Sequence, residues 1–145
     1  MRDNTDILRE LRGIYARGNT VIKCFKHCSP PVKTLLFKTY CTGMYGSQLW
    51  CDFNVTSLGR LKVAYNSIFR YLMNLDRRTS VSGAMIKVGV SPFNVTMRKY
   101  MANFNLRVYK SDNEIVNTLI ESVHFNYSNL FRRWCSNLYN LKYAK

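Results

Sequence analysis

The sequence predicts an all-α fold, a compact bundle of about six amphipathic helices in one domain over residues 1–145. Apolar residues recur at alternating steps of three and four along most of the chain, which is the period of one buried helical stripe. Ser29-Pro30 and Ser91-Pro92 each pair a capping side chain with a proline suited to a first helical turn. No repeat, low-complexity block or linker interrupts the pattern, and short links favour helices packed around one core. TSVSGAMIKVGV, within residues 79–90, is the exception: its Ser, Gly and Val content lets a short irregular or strand-like segment compete with helix.

The first helix opens at Asp3 to Thr5, with Asp6 in its first turn, where negative charge suits the helix dipole. Ile7, Leu11, Ile14, Gly18, Val21 and Phe25 form its apolar stripe; Arg9, Arg12, Arg17, Lys23 and Lys26 occupy its other sides. Gly13 and Gly18 each cost about 1 kcal/mol relative to Ala inside a helix, so a bend or a close helix neighbour is expected there. The helix ends by Ser29, because a residue before proline is pushed to extended backbone. In the second helix Val32, Leu35, Leu36 and Tyr40 supply the apolar face, with Lys33 and Lys38 outside. CTGMYGSQLWC follows without a charge and is expected to be the most buried segment, before a connection over residues 51–56.

The central helix, Ser57 to Leu75, carries two faces. Leu58, Leu61, Tyr65, Ile68, Leu72 and Leu75 share one stripe; Arg60, Ser67, Arg70, Asn74 and Arg77 share another. The second stripe has no acid before Asp76, so it lacks the (i, i+4) pairs that neutralise an ordinary solvated helix. Further on, Phe93, Met97, Tyr100, Met101, Phe104 and Val108 form an apolar stripe beside Arg98, Lys99, Arg107 and Lys110. Ser111 and Glu114 are spaced as a capping box ahead of Ile115, Leu119, Ile120 and Val123. A last amphipathic stretch, Tyr127 to Tyr143, groups Leu130, Trp134, Leu138 and Leu141 away from Arg132, Arg133 and Lys142.

Twenty-two Lys and Arg against eight Asp and Glu leave a net charge of +14. Each side of Leu72 carries eleven bases and four acids, so the charge belongs to the whole body and not to a tail. A polyanion is the simplest partner for such a surface. The longest charge-free run, Thr39 to Cys51, is shorter than the ~20 residues that span a bilayer, and no membrane partner is expected. The start of the chain is charged and has no apolar signal core, so an intracellular location, nuclear or cytoplasmic, is expected. Asn54-Val-Thr, Asn94-Val-Thr and Asn126-Tyr-Ser match the glycosylation pattern but carry no meaning without secretion.

Catalytic chemistry finds little support. The eight acids are scattered and sit mostly at helix starts, where capping explains them, whereas paired-carboxylate catalysis needs two that converge. His27 and His124 have no nucleophile context. Cys24, His27, Cys28, Cys41 and Cys51 supply enough soft ligands for one zinc, yet they lack the tight-turn pairing of zinc modules. Free, buried cysteine is the expected state, with no catalytic residue, metal or cofactor assigned. Tyr65, Tyr100, Phe104 and Trp134 fall on apolar stripes and are expected in the core before any role in base stacking.

Several strings taken together resemble a known family: RDNTDILRELRGIYARGN, then CSPPVKTLLFKTYCTGMYGSQLW, then LKVAYNSIFRYLMNL, with SDNEIV further along. Their order and spacing are similar to the region after the polymerase palm in reverse transcriptases of non-LTR retrotransposons, over most of the chain. The resemblance implies a helical thumb and C-terminal region that grips a template-primer duplex, with the palm and fingers as further possible partners. The family's adjacent Asp-Asp pair is absent, and a polymerase needs carboxylates to hold its metal ions. The resemblance therefore implies a truncated element product without polymerase activity alone. On this reading Arg60, Arg70, Arg77 and Arg78, then Arg9, Arg12, Arg17, Lys23 and Lys26, are the candidate contacts to an RNA, DNA or RNA/DNA hybrid backbone. The alternative is a protein interaction module that no longer binds nucleic acid.

Overall fold

The computed structural model describes residues 3–138, and every described element is helical. There are eight α-helices among these residues: α1 Asn4–Cys24, α2 Pro30–Tyr40, α3 Val55–Leu72, α4 Val81–Lys87, α5 Phe93–Tyr109, α6 Glu114–Glu121, α7 Val123–Asn126 and α8 Asn129–Leu138. A single 3-10 turn, Ser47–Leu49, lies between α2 and α3. The chain divides into two compact units, one holding the residues up to Tyr45 with Phe53–Thr96, the other Gly46–Asp52 with the chain from Met97 onward.

The first unit is built on α1 and α3, which run parallel and in step. Asn4 Oδ1 accepts from the Asn54 backbone N–H at 2.9 Å, and Gly18 lies against Ile68, so each contact joins residues the same distance apart in the chain. Ile7, Ile14 and Val21 of α1 are buried with Leu61, Ala64, Tyr65, Ile68, Phe69 and Leu72 of α3, as the three-four spacing requires. Gly18 is where the helices come closest: a Cβ there would stand 2.6 Å from Ile68 Cδ1 and 2.7 Å from its Cγ2. Of the two outcomes expected at the glycines, a bend or a close neighbour, Gly18 realises the second. Gly18→Ala therefore loses stability on balance, because overpacking costs about 1–3 kcal/mol against about 1 kcal/mol of helix propensity gained. Ile68→Val in the same chain recovers part of that loss in a double-mutant cycle by chemical denaturation.

Proline fixes α2 as expected, with Ser29 at the cap and Pro30 at the first position. Its buried face is a different one. Phe37 is fully buried with Thr34 and Cys41, whereas Val32, Leu35 and Tyr40 are 42%, 64% and 50% exposed. Two overlapping three-four stripes exist on this short helix, and the one carrying the largest ring is the one that packs. Phe37 meets Tyr65 and Phe69 edge-on, both at 5.1 Å between centroids, and Tyr65 meets Phe93. The Tyr65 hydroxyl donates to Ser91 O at 2.8 Å, which satisfies the one polar atom of a buried ring.

The central helix stops at Leu72, three residues before the expected end. Asn74 takes a left-handed φ of 51°; its N–H donates to Tyr71 O and that of Leu75 to Arg70 O, the paired bonds of a Schellman cap. Asn74 and Arg77 therefore leave the helical stripe on which their spacing had placed them. The stretch near residues 79–90 is not a strand: Ser80 Oγ accepts from Gly83 N–H to cap α4, and Gly89, φ 70°, ends it with a second Schellman pair. Local side-chain capping outweighs the β-branched content in so short a segment.

CTGMYGSQLWC proves only partly buried. Cys41, Met44, Ser47 and Trp50 are buried, while Tyr45 is 82% exposed and Cys51 is exposed. A loop and one 3-10 turn bury every third residue, and the others are exposed or half-buried despite carrying no charge.

In the second unit Met101, Phe125 and Trp134 form the core, with Phe104, Val108, Ile120, Leu130, Phe131 and Leu138 packed against it. Trp134 stands 5.8 Å from Phe125 and 6.0 Å from Phe104, both edge-on. The cap of α6 is Asn113, whose Oδ1 accepts from Ile115 and Val116 N–H; Ser111 Oγ accepts from Asn113 N–H instead of capping the helix. Of the apolar residues expected on one stripe here, Ile115 and Leu119 of α6 face outward, as does Val123 at the start of α7, and Ile120 alone of the four packs against the core. The final stretch begins at Asn129, and its Leu141, Lys142 and Tyr143 lie outside the described residues.

Candidate nucleic-acid interface

The nine basic residues singled out from the sequence fall into four groups. Arg9, Arg12 and Lys23 are exposed on α1, at steps that keep them on the side opposite Ile7, Ile14 and Val21. Arg9 is paired with Asp6 at 2.5 Å, an exposed (i, i+3) contact of little energetic weight. Arg12 and Lys23 have no ion pair among the described residues.

Arg60 stands on α3 at a groove of about 510 Å³ between α1 and α3, lined also by Leu11, Tyr15, Thr56, Gly59 and Val63. Arg77 and Arg78 are exposed in the loop that joins α3 to α4. Their backbone is ordered by Asp76, whose Oδ1 accepts from Arg78 N–H, leaving both guanidinium groups pointing into solvent.

Arg17 and Arg70 have internal roles instead. Arg17 donates to the Glu10 carboxylate at 3.4 Å and to Gly43 O at 3.2 Å, and its buried Nε has no partner among the described residues. Arg70 donates to Asp76 O at 2.5 Å and Thr79 O at 3.3 Å, so it tethers the α3–α4 loop to the helix. Residue type and spacing could not separate these two from their neighbours, because the carbonyls they bind are brought near only by the turns at Gly43 and Asn74.

Lys26 lines a smaller cavity with Ile22, His27, Lys33, Tyr71, Leu72 and Asn74. Lys26 follows the C-terminal end of α1, where positive charge complements the helix dipole, whereas Lys33 stands near the start of α2 and has no such role. A larger cleft in the second unit is lined by Gln48, Tyr100, Asn103, Leu106, Arg107 and Lys110. Tyr100, expected in the core, is half-buried there.

The cysteines do not assemble. Cys41 and Cys135 are buried, Cys28 is half-buried, and Cys24 and Cys51 are exposed rather than buried as expected. Among the described residues no three His, Cys, Asp or Glu stand close enough to hold a metal ion. Burial pushes the Cys41 thiol up to about 11 from an ordinary 9.0, with Arg17 pulling the other way. Since only the neutral thiol suits the folded site, its contribution to stability is complete below about pH 9 and is lost as pH rises through about 11. Native-state thiol labelling at pH 8 is expected to modify Cys24 and Cys51 promptly and to spare Cys41, and all described cysteines react in denaturant.

The geometry defines an all-helical protein with cations displayed on several helices and loops. No helix among the described residues is long and apolar enough to cross a membrane. Comparison of the chain with protein-family models, curated proteins and solved structures finds no match.

Proposed function

We propose that this chain is a basic, helical nucleic-acid-binding domain that holds an RNA, DNA or RNA/DNA hybrid backbone through Arg12, Arg60, Arg77, Arg78 and Lys23, with Arg9 and Lys26 beside them. The observation that carries this reading is a net charge of +14, with Arg12, Lys23, Arg60, Arg77 and Arg78 exposed and making no ion pair among the described residues. A surface of that kind gains most from the counterions released when it neutralises phosphates. The reading agrees with the resemblance to the template-primer-gripping thumb and C-terminal region of a non-LTR reverse transcriptase. On that reading the chain has no polymerase activity alone, and the palm and fingers are candidate protein partners.

Binding of the purified chain to an RNA/DNA hybrid duplex across a salt series, with circular dichroism as the check on folding, tests it. Tight binding whose logarithm falls steeply with log salt is the expected result. A helical chain that ignores the duplex at low salt overturns it.

A protein interaction module is the second reading, favoured by one feature. Ile115 and Leu119 of α6 are 80% and 57% exposed on one helical stripe, a surface that ordinarily belongs against another chain. Concentration-dependent self-association together with no affinity for duplex would select it.

A further inference from the structure

We propose that the cleft on α5 holds an unpaired nucleobase and the phosphates flanking it, so that the second unit engages single-stranded nucleic acid; this rests on the nucleic-acid reading above and adds a base-contacting site to it. The cleft measures about 660 Å³, within the usual range for small-ligand sites. Tyr100, Asn103, Arg107 and Lys110 follow one another at steps of three, four and three along α5, so they share one face. Gln48 reaches the same cleft from the 3-10 turn, whose approach is set by Gly46 in a left-handed conformation, φ 77°.

The chemistry of that lining matches a nucleotide part by part. The Tyr100 ring and Leu106 offer an aromatic and apolar surface on which a base can stack. Gln48 and Asn103 each carry an amide donor and an amide acceptor, the complement of a base edge. Arg107 and Lys110 supply positive charge at one end of the stripe, and no carboxylate among the described residues lines the cleft. Arg107 is steered as well: its guanidinium carbon lies 6.0 Å from the Phe104 ring centroid, and Phe104 is held edge-on by Trp134. A duplex keeps its base faces stacked internally, so a platform of this kind serves an unpaired base.

The test uses the full chain and two single-stranded oligonucleotides of equal length, one intact and one with abasic positions in its centre, titrated by fluorescence anisotropy. Stacking and edge contacts predict binding about tenfold tighter for the intact strand. Asn103→Ala and Gln48→Ala are expected to bring that ratio toward one while leaving the salt slope unchanged, whereas Arg107→Gln and Lys110→Gln flatten the slope. Equal affinity for both strands with a steep salt dependence overturns the base site and leaves backbone binding standing. Failure to bind strand or duplex at low salt overturns both readings, and strand discrimination without duplex affinity overturns only the duplex grip. The intact-to-abasic comparison needs no variant, so misfolding of a substituted chain does not blur it.

Discussion

Replacing Arg12, Arg60, Arg77 and Arg78 together with glutamine is expected to flatten the salt dependence of hybrid binding by about 3 to 4 units of slope, because each phosphate neutralised contributes about 0.9. At 0.1 M salt the same loss weakens binding on the order of a thousandfold. All four side chains are exposed and make no ion pair among the described residues, so stability should move by no more than about 0.5 kcal/mol per site. Sequence preference should not change, since phosphate contacts position a protein without specifying bases.

Arg70→Gln is the internal control. It removes the donor to Asp76 O and Thr79 O, so it is expected to cost about 1 kcal/mol of stability and to leave the slope nearly unchanged. Titrations across a salt series, with urea denaturation of each variant, separate the two patterns. An unaltered slope in the fourfold variant would remove these arginines from the interface.

Phe37→Ala should be the most damaging single substitution in the first unit, at about 3–5 kcal/mol. Phe37 is 0% exposed and touches two rings at 5.1 Å, with interplanar angles of 69° and 77°; such edge-on pairs add about 0.5–1.5 kcal/mol each beyond area burial. Truncation leaves a cavity between α2 and α3 that Tyr65 cannot fill, because its hydroxyl is held by Ser91 O. Leu35→Ala, two residues away and 64% exposed, should change stability by no more than about 0.5 kcal/mol. Denaturant titration followed by circular dichroism reads both. Comparable losses at the two positions would mean that α2 packs on its other face.

That contrast shows what patterning can and cannot settle. On α3 the apolar stripe was legible because it runs five turns and has no rival, and the structure buries Leu61, Tyr65, Ile68 and Leu72 along it. On α2, with only eleven residues, two stripes compete, and α1 and α3 decide which one turns inward. On α6 the stripe exists but the unit core takes only Ile120 from it, so amphipathicity overstated burial. The strand alternative at residues 79–90 failed for a local reason, a serine cap at one end and a left-handed glycine at the other, signals present in the sequence yet too short to outweigh composition.

By itself the sequence determined that this protein is helical, where most of its helices begin, and that it carries a large unneutralised positive charge; all three follow from residue types and spacings a few positions long. The tertiary structure decided that Gly18 is a contact and not a bend, that Phe37 and not Leu35 enters the core, and that Arg17 and Arg70 bind backbone carbonyls while Arg12 and Arg60 stay exposed. Each of those outcomes depends on which distant backbone comes near, a matter of packing between helices that no local window of the chain encodes.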